Sequence, residues 1–445
     1  MLNFAIPYGA ERKILRADLP PENVIVATSK DPAATRTWTD LAEEALRSPV
    51  GAEPIREHNL RGKKVAVITD DLARSTDAAQ IIPLVLRELA AAGAEKRNIT
   101  FITATGMHDP LDHEGLIRKL GRPIVEEYRC AAHDGGNPDE IVFLGTTPNG
   151  TPIWVNRHVA EAEYRIGINR IYPHETHGYE GGYKLILPGV SGFATIARNH
   201  SLNDAPDYGG SLSSPSRRDT DEVGAAVGIG FLINVVVNAH GQPVKAFAGE
   251  PMVAFRFGVA YGDHEVWGAE VGPQADIVVA SSGRGAPFVG DIRCSWTGLL
   301  TLYRAARVAK VGGTVIWVAP EEMPFDGMTG QELADDTAIA ALDLRTFVKL
   351  LDRLSFAEIV RLHEKRNWPL DAREVMWRMR ELRGEFLRRR RIAEIAKRTT
   401  LFTPDPDATL RRVLAEQGTR SVRLVVLPEA ATTLAKETLY RYAED

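Results

Sequence analysis

Two histidines, a Gly-Gly pair and a lysine fall within the stretch PHETHGYEGGYK, residues 173–184. A lysine in a site shielded from water can act as a nucleophile, because burial lowers its pKa and favours the neutral amine. Histidine suits acid/base work near neutral pH, and two histidines on opposite faces of one carbon would suit a racemase. Adjacent glycines let a backbone approach a ligand closely. The stretch therefore predicts a cofactor held by Lys184 beside Gly181 and Gly182.

Three familiar motifs do not explain this stretch. A phosphate-binding P-loop has Gly directly before Lys and Ser or Thr after it, whereas Lys184 lies between a tyrosine and a leucine. A zincin helix requires HExxH, and its second histidine is replaced here by Gly178. No G-x-G-x-x-G follows the first predicted strand, which disfavours a nicotinamide dehydrogenase. A glycine turn remains, followed by a lysine and by a helical segment over residues 191–199 that ends at His200.

An alternation of strand and helix must position these residues. The segment KVAVIT, residues 64–69, is short, β-branched and apolar, as in a strand that is buried on both faces. Residues 78–92 have helical spacing, and a second strand is predicted over residues 99–105. This order predicts a right-handed β-α-β crossover in a parallel sheet. By contrast, the Ser-, Gly- and Pro-rich residues 208–220 are predicted to form a loop.

The carboxyl edge of the predicted parallel sheet gathers polar residues. Asp71 and Arg74 follow the first strand, and His108 follows the second. Both strands run in the same direction, so these side chains should emerge at one edge, where ligands of such sheets usually bind.

The chain has 445 residues, of which 44% are hydrophobic. This length is too great for a single hydrophobic core, so more than one domain is expected. Further strands are predicted over residues 153–155, 164–171, 231–238, 276–280, 314–318 and 422–427. A fresh strand and a Gly-rich loop begin after residue 270. We expect an N-terminal α/β domain over residues 1–270 that carries the cofactor and the histidines, and a C-terminal α/β domain over residues 271–445. The fold class is thus α/β, with mainly parallel Rossmann-like sheets flanked by helices and the active site in the interdomain cleft.

Composition argues against several classes of protein. The formal net charge of -5 gives no reason to expect nucleic-acid binding, and the run RRRR at residues 388–391 lies on a predicted amphipathic helix. The first residues lack the apolar core of a secretory signal, and no apolar run approaches the ~20 residues of a membrane span. Two cysteines are too few for a disulfide scaffold or a thiolate metal cage. We expect a cytoplasmic protein that binds neither nucleic acid nor membrane.

Four segments, in this order, resemble those of the lactate racemase family, whose enzymes use a nickel-pincer nucleotide. They are DDLAR (70–74), ATGMHDP (104–110), HGYEGGYKLILPGVSGFATIARNHS (177–201) and FLINVVVN (231–238). The stretch from Gly178 to His200 is the most specific of them. The resemblance implies an isomerase that racemises or epimerises a 2-hydroxy acid, and proteins of cofactor biosynthesis as the partners that load it.

The resemblance also implies how the cofactor, nickel pyridinium-3,5-bisthiocarboxylic acid mononucleotide, is held. Lys184 would be joined to it through a thioamide, and His200 would be the protein ligand of the nickel. Asp71 and Arg74 match a DxxR pair that contacts nucleotide or substrate. A guanidinium such as that of Arg74 suits bidentate binding of carboxylate or phosphate.

In the reaction that the resemblance implies, His108 and His174 would be the paired acid/base residues. The substrate loses its hydroxyl proton to one histidine and its Cα hydride to the cofactor ring. The planar 2-keto acid is then reduced from either face. This route avoids removing a weakly acidic α-hydrogen as a proton, which would leave a dianion.

The chain departs from the family pattern at two places. Lactate racemases carry Gln-x-x-Lys on a helix of the second domain, where this chain has Trp296 and Leu299. Either Arg293 or Arg284 would then supply the positive charge, or the substrate is held differently. We hypothesise a larger 2-hydroxy acid as substrate, with an aromatic or extended side chain against Trp296. In addition, Glu180 stands where a small residue is more usual.

Two other functions remain compatible with Lys184. A pyridoxal-phosphate enzyme would use it as the Schiff-base lysine and would contain no nickel. A homologue that binds the cofactor without turnover is suggested by the missing glutamine and lysine. His177 is either a partner of a neighbouring side chain or a solvent-facing loop residue. Structural hydrogen-bonding roles are expected for His133, His158, His240 and His363.

Overall fold

The structure is a computed structural model, and the residues that it describes are 1–8, 11–203, 207–282, 296–318, 391, 393–403, 405–417, 422–430 and 433–435. The helices are α1 (Trp38–Arg47), α2 (Ala78–Ala91), α3 (His113–Leu120), α4 (Arg122–Glu127), α5 (Arg157–Glu161), α6 (Phe193–His200), α7 (Pro215–Val227), α8 (Pro251–Gly262), α9 (Trp296–Val308) and α10 (Pro406–Gln417). The strands are β1 (Leu2–Tyr8), β2 (Glu11–Ala17), β3 (Val24–Val26), β4 (Val65–Asp70), β5 (Ile99–Ala104), β6 (Arg129–Ala132), β7 (Ile141–Thr146), β8 (Pro152–Asn156), β9 (Tyr164–Ile171), β10 (Pro173–His174), β11 (Gly178–Tyr179), β12 (Phe231–Val237), β13 (Pro243–Gly249), β14 (Gly268–Ala269), β15 (Ala275–Ser281), β16 (Ala309–Val318), β17 (Thr399–Thr403), β18 (Leu424–Leu427) and β19 (Leu434–Ala435).

The first large sheet has six strands in the order β13-β12-β9-β4-β5-β6. All neighbours in it are parallel except β12 and β13, which pair antiparallel. Every residue of β4 is buried, as its continuous apolar sequence predicted. The predicted β-α-β order is confirmed, because α2 connects β4 to its parallel neighbour β5.

Apolar side chains from alternate positions of this sheet enter two different cores. Val67 and Ile166 share one core with α1 and α2. Ile68 and Leu232 share the other core with the segment 183–187 and with α6 and α7. This alternation follows from the two-residue period of a strand. It anchors the lysine-bearing segment directly on the sheet.

The second large sheet is wholly parallel, in the order β17-β16-β15-β18-β3. The side chains of α9 pack in the core on one face, while the β1–β2 hairpin and α10 pack on the other. The predicted fold class, α/β with mainly parallel sheets flanked by helices, is confirmed. The division at residue 270 and the interdomain cleft stay predictions. Strand β3, over residues 24–26, pairs with β18 of this second sheet.

The predicted strand over residues 153–155 is confirmed as β8, which pairs antiparallel with β7 in a separate two-stranded sheet. The predicted loop 208–220 is wrong at its end, because α7 begins at Pro215. Proline is favoured at the first position of a helix, and the Ser214 side chain caps the helix by accepting from the backbone N–H of Arg217.

Several predicted positions fall outside the described residues. They are Arg284, Arg293 and most of the predicted amphipathic helix around residues 388–391. Trp296 opens α9, although only its backbone lies within the described part. Among the described helices, none combines the length and apolar character needed to cross a bilayer.

His133 is a fully buried core residue. Its Nε2 lies 3.0 Å from the carbonyl oxygen of Ser191, and its Nδ1 lies 3.3 Å from the side-chain Nδ2 of Asn156. The ring therefore donates at Nε2 and accepts at Nδ1, which is the neutral form. Burial lowers the pKa of His133 to about 4.

We expect His133 to make the protein sensitive to acid. Its folded pKa of about 4 lies below the ordinary 6.5, so its contribution to stability is complete above pH 6.5 and is lost as the pH falls toward 4. The loss should be about 1.4 kcal/mol per pH unit in this window. Urea unfolding across the window should give a shallower dependence of the unfolding free energy for His133→Gln, and identical slopes for both proteins would contradict the expectation.

Candidate active site

The candidate site lies at the carboxyl ends of β4, β5 and β9. In the strand order of the sheet, β5 lies next to β4 on one side, and β9 lies next to β4 on the other side. Such a change of side leaves a crevice between the strand ends, which is where ligands bind in open α/β sheets. The loops are joined there, since the Gly106 amide donates to the Gly189 carbonyl at 2.8 Å and the Arg170 amide donates to Asp70 at 3.4 Å.

His108 is paired with Asp71. The His108 Nδ1 lies 2.5 Å from Asp71 Oδ2, and the other carboxylate oxygen accepts from the Ala73 amide at 3.1 Å. The Asp71 carboxylate is buried, while the imidazole is 43% exposed. A carboxylate at Nδ1 holds a proton there and leaves Nε2 as the basic nitrogen. This pairing was not predicted from the sequence, which suggested only a nucleotide or substrate contact for Asp71.

Glu180 bridges two arginines. Its two oxygens lie 2.8 Å from Arg74 Nε and 2.7 Å from Arg170 Nε. Burial alone would raise the pKa of Glu180, but the charges of Arg74 and Arg170 hold it below its usual range, so the side chain is an anion. Arg74, predicted as an anion-binding residue, is thus already oriented by a carboxylate of the protein.

Two asparagines hold the glycine turn before Lys184. The Gly182 carbonyl accepts from Asn169 at 3.2 Å, and the Gly182 amide donates to Asn234 at 3.1 Å. These asparagines are direct neighbours on β9 and β12. The start of the short 3-10 helix Gly182–Leu185 is therefore fixed to the sheet, which limits the directions in which Lys184 can extend.

Both glycines are required by the protein's own packing. Gly181 and Gly182 have φ values of +92° and +62°, which residues with a Cβ rarely adopt. A Cβ on Gly182 would lie 2.6 Å from Arg217 Nη2, and one on Gly181 would lie 2.9 Å from the Arg170 carbonyl oxygen. Arg217 is fully buried, with its guanidinium 4.0 Å from the centre of the Phe255 ring. Backbone contact between these glycines and a cofactor stays a prediction.

Lys184 is partly buried in this charged cluster. Burial lowers the pKa of its ammonium to about 7, an effect that Glu180 opposes and Arg74 reinforces. Within the described part of the chain, Lys184 Nζ forms no hydrogen bond or ion pair. A neutral amine is therefore accessible near neutral pH, as a nucleophilic lysine requires.

Three histidine rings follow one another beside Lys184. The His174 and His177 ring centres lie 5.5 Å apart, and those of His177 and His200 lie 5.1 Å apart. His174 ends β10, and His200 is the last residue of α6, close to the predicted end of that helix. Burial, followed by the charge of Lys184, lowers the pKa of His174 to about 3 and keeps its ring neutral.

A helix of the second sheet reaches this region. Arg304 on α9 lies with its Nε 3.1 Å from Asp207 Oδ2, and both side chains are buried. Asp207 also accepts from the Gly209 amide at 2.8 Å, in the segment that follows α6. The sequence offered no signal for this contact, because the partners are 97 positions apart.

The structure brings six of the predicted side chains to one edge of the first sheet. They are Asp71, Arg74, His108, His174, Lys184 and His200, which are linked through contacts among themselves and with Glu180 and His177. It does not place Arg293 or the Trp296 side chain, which lie outside the described residues. In the ranges described, no group of three or more His, Cys, Asp or Glu is arranged to hold a metal ion.

We expect an amine-reactive anhydride to modify Lys184 with a midpoint near pH 7. Only the neutral amine reacts, and burial holds the pKa of this ammonium at about 7 instead of 10.5. Mass mapping of peptides after timed exposure at several pH values measures the rate, with the exposed Lys63 as reference in the same sample. The same pH profile at both lysines would contradict the expectation.

Glu180→Gln tests whether the charge of Glu180 acts on the pKa of Lys184. The Glu180 charge raises the pKa of Lys184, so its removal should move the midpoint to lower pH. The variant should also lose about 3–5 kcal/mol of stability, because two arginines lose their shared anion. A midpoint that moves to higher pH would show that Glu180 does not act on the lysine in this way.

Comparison with known proteins finds similarity to lactate racemases. The model of the lactate racemase N-terminal domain matches residues 8–207. Lactate racemases from Thermoanaerobacterium thermosaccharolyticum and Lactiplantibacillus plantarum are 29% and 28% identical over 326 and 327 residues, which is 72% of this chain in both cases and 74% and 75% of the relatives. The lactate racemase apoprotein structure from T. thermosaccharolyticum shares the fold, with a TM-score of 0.68 at 23% identity over 98% of this chain and 100% of that chain. Over most of its length, the chain is therefore similar to lactate racemases.

Proposed function

We propose that the protein racemises or epimerises a 2-hydroxy acid by reversible hydride transfer from its Cα to a nickel-pincer nucleotide tethered to Lys184. The observation that carries the proposal is a lysine with a pKa of about 7 beside a neutral histidine, at the edge that also holds the Asp71–His108 pair. A tethered cofactor requires a nucleophilic amine, and proton transfer requires neutral imidazoles.

The residues present fit this cofactor. Lys184 Nζ has no hydrogen-bond or ion-pair partner among the described residues, so its amine can form the thioamide. The His200 Nδ1 lies 3.1 Å from Asn199 Oδ1, so Nε2 is the nitrogen that would bind nickel. Arg74 would provide positive charge for the phosphate or the substrate carboxylate. When bound, the nucleotide would accept the α-hydride and return it.

The histidines would handle the hydroxyl proton. With Nδ1 held by Asp71, His108 would receive that proton at Nε2, and the adjacent carboxylate would stabilise the resulting imidazolium. His174 would do the same for the opposite enantiomer, since burial keeps its ring neutral beforehand. Each histidine would then return the proton when the hydride comes back.

The substrate would lie between the first sheet and α9. The buried Asp207–Arg304 pair supports this location, because it joins the segment after α6 to the second sheet. Exclusion of water from the site would protect the transferred hydride. Such protection is the usual reason why an active site closes over its substrate.

We expect the protein to carry nickel and a nucleotide on Lys184 when it is produced together with the cofactor's biosynthetic proteins. Metal analysis and the mass of the peptide containing Lys184 measure both. Lys184→Arg should abolish the adduct, whereas Lys64→Arg, at an exposed lysine paired with Glu161, should leave it intact. His108→Gln should load normally and lose about 10²- to 10⁴-fold in turnover.

Other outcomes would contradict this proposal in different ways. An unmodified lysine without nickel, in conditions under which a known family member loads, would refute the tether. Absorbance of an internal aldimine in its place would favour a pyridoxal-phosphate enzyme. Full loading without turnover of any 2-hydroxy acid would favour a cofactor-binding homologue.

We further propose that the substrate is larger than lactate, because Trp296 stands where the family pattern has glutamine. The loaded enzyme should turn over phenyllactate, malate or an aldonate with a kcat/KM at least about tenfold above that for lactate. Trp296→Gln should reduce this ratio. A clear preference of the unmodified protein for lactate would refute the larger substrate.

A further inference from the structure

Asn199 lies fully buried between two histidines, and its amide orientation is determined by its partners. Its Nδ2 lies 2.8 Å from the carbonyl oxygen of Ser216 and 2.9 Å from Asp219 Oδ2. Both of these oxygens can only accept hydrogen bonds, so the atom that faces them is the nitrogen. The oxygen Oδ1 therefore faces His177 and His200.

This orientation decides where two histidines carry their protons. Asn199 Oδ1 lies 3.0 Å from His177 Nε2 and 3.1 Å from His200 Nδ1. An amide oxygen cannot donate, so both ring nitrogens must carry hydrogen. Neutral His200 then has its lone pair on Nε2, and neutral His177 has its lone pair on Nδ1.

The chain of hydrogen bonds continues from His177 to His174 through a hydroxyl group. Thr176 Oγ1 lies 2.9 Å from His177 Nδ1 and 3.1 Å from His174 Nδ1. The hydroxyl has one hydrogen, and the lone pair of His177 accepts it. Toward His174, Thr176 can therefore offer only an acceptor, which favours a proton on His174 Nδ1.

A competing set of contacts favours the opposite tautomer of His174. The backbone amides of Thr176 and His177 lie 3.2 Å and 3.4 Å from the same Nδ1. They would stabilise a bare Nδ1 and move the proton to Nε2, where it would block acceptance of a substrate proton. The hydroxyl oxygen, at 3.1 Å, is the nearest of the three atoms to Nδ1, and on that ground we assign the proton to Nδ1.

We propose that Asn199, His177 and Thr176 are positioning residues that set the tautomers of His174 and His200. The inference rests on the proposed function, because it assigns the consequence to a base and a metal ligand. Asn199 directs the His200 lone pair toward the metal. Through His177 and Thr176, the same amide keeps His174 Nε2 ready to accept a proton. His177 thus partners its neighbouring side chains and does not face solvent.

Because these side chains are buried, their hydrogen bonds are formed with other protein groups. Asn199 and His177 have no exposed surface, and Thr176 is 6% exposed. Solvent water is therefore not available to replace a lost hydrogen bond. The positions of the protons therefore follow from the fixed amide of Asn199, both toward His200 and toward His174.

The test is nitrogen-15 NMR of the full chain without cofactor, labelled at histidine and held at a mildly alkaline pH. Protonated and bare ring nitrogens differ clearly in chemical shift. We expect hydrogen on Nδ1 of His174 and His200 and on Nε2 of His177. Thr176→Val should move the His174 proton to Nε2 and leave His200 unchanged, whereas Thr176→Ser should preserve the original pattern. The unfolding transition checks that each variant folds.

Hydrogen on Nδ1 of His177 in the unmodified protein would overturn the proposal, as would an unchanged His174 in Thr176→Val. In the loaded enzyme, Thr176→Val should lower kcat by about 10- to 100-fold with nickel content unchanged. Asn199→Ala should instead weaken nickel retention by about 10- to 100-fold. Failure of the unmodified chain to load nickel would refute the proposed function, while the NMR pattern would still decide this inference.

Discussion

The site depends on the buried anion of Glu180 and the two arginines that share it. Arg74 belongs to the loop after β4, and Arg170 belongs to β9, so their common carboxylate ties together the two strands between which the crevice opens. Two cations in a partly buried place would repel each other without it. With it, the loops after β4 and β9 have one relative position, and the histidines and the lysine that they carry have fixed neighbours.

Low polarity around this network explains why its members differ in charge. Glu180 stays ionised because it is paired, whereas Lys184 and His174 lie beside it without such a partner and are shifted toward their neutral forms. A neutral amine and a neutral imidazole are the reactive forms for covalent attachment and for proton acceptance. The same burial that stabilises the fold thus prepares the site for chemistry.

The parallel sheet and the local hydrogen bonds act at different scales. The sheet brings the loops after three strands to one edge, so that side chains of these loops can contact one another. The pairs Asp71–His108 and Asn199–His200 then decide which ring nitrogen faces outward. The proposed transfer of protons and hydride in both directions would need this second level, because each tautomer presents a different nitrogen.

The sequence alone determined the α/β class, the β4-α2-β5 unit and the helix that ends at His200, since these follow from local periodicity. The candidate site residues came from short motifs and from a family resemblance, and their roles stay predictions. The sequence did not predict the Glu180 bridge, the asparagine pair under the glycine turn or the contact of Arg304 with Asp207. The contacts of Arg74 with Glu180, of Asn234 with Gly182 and of Arg304 with Asp207 join residues far apart in the chain, and no local pattern encodes them. The sequence contained no sign that Gly181 and Gly182 are also required by packing against Arg170 and Arg217. Only tertiary structure decides such pairings, because burial and distance become defined when distant segments pack.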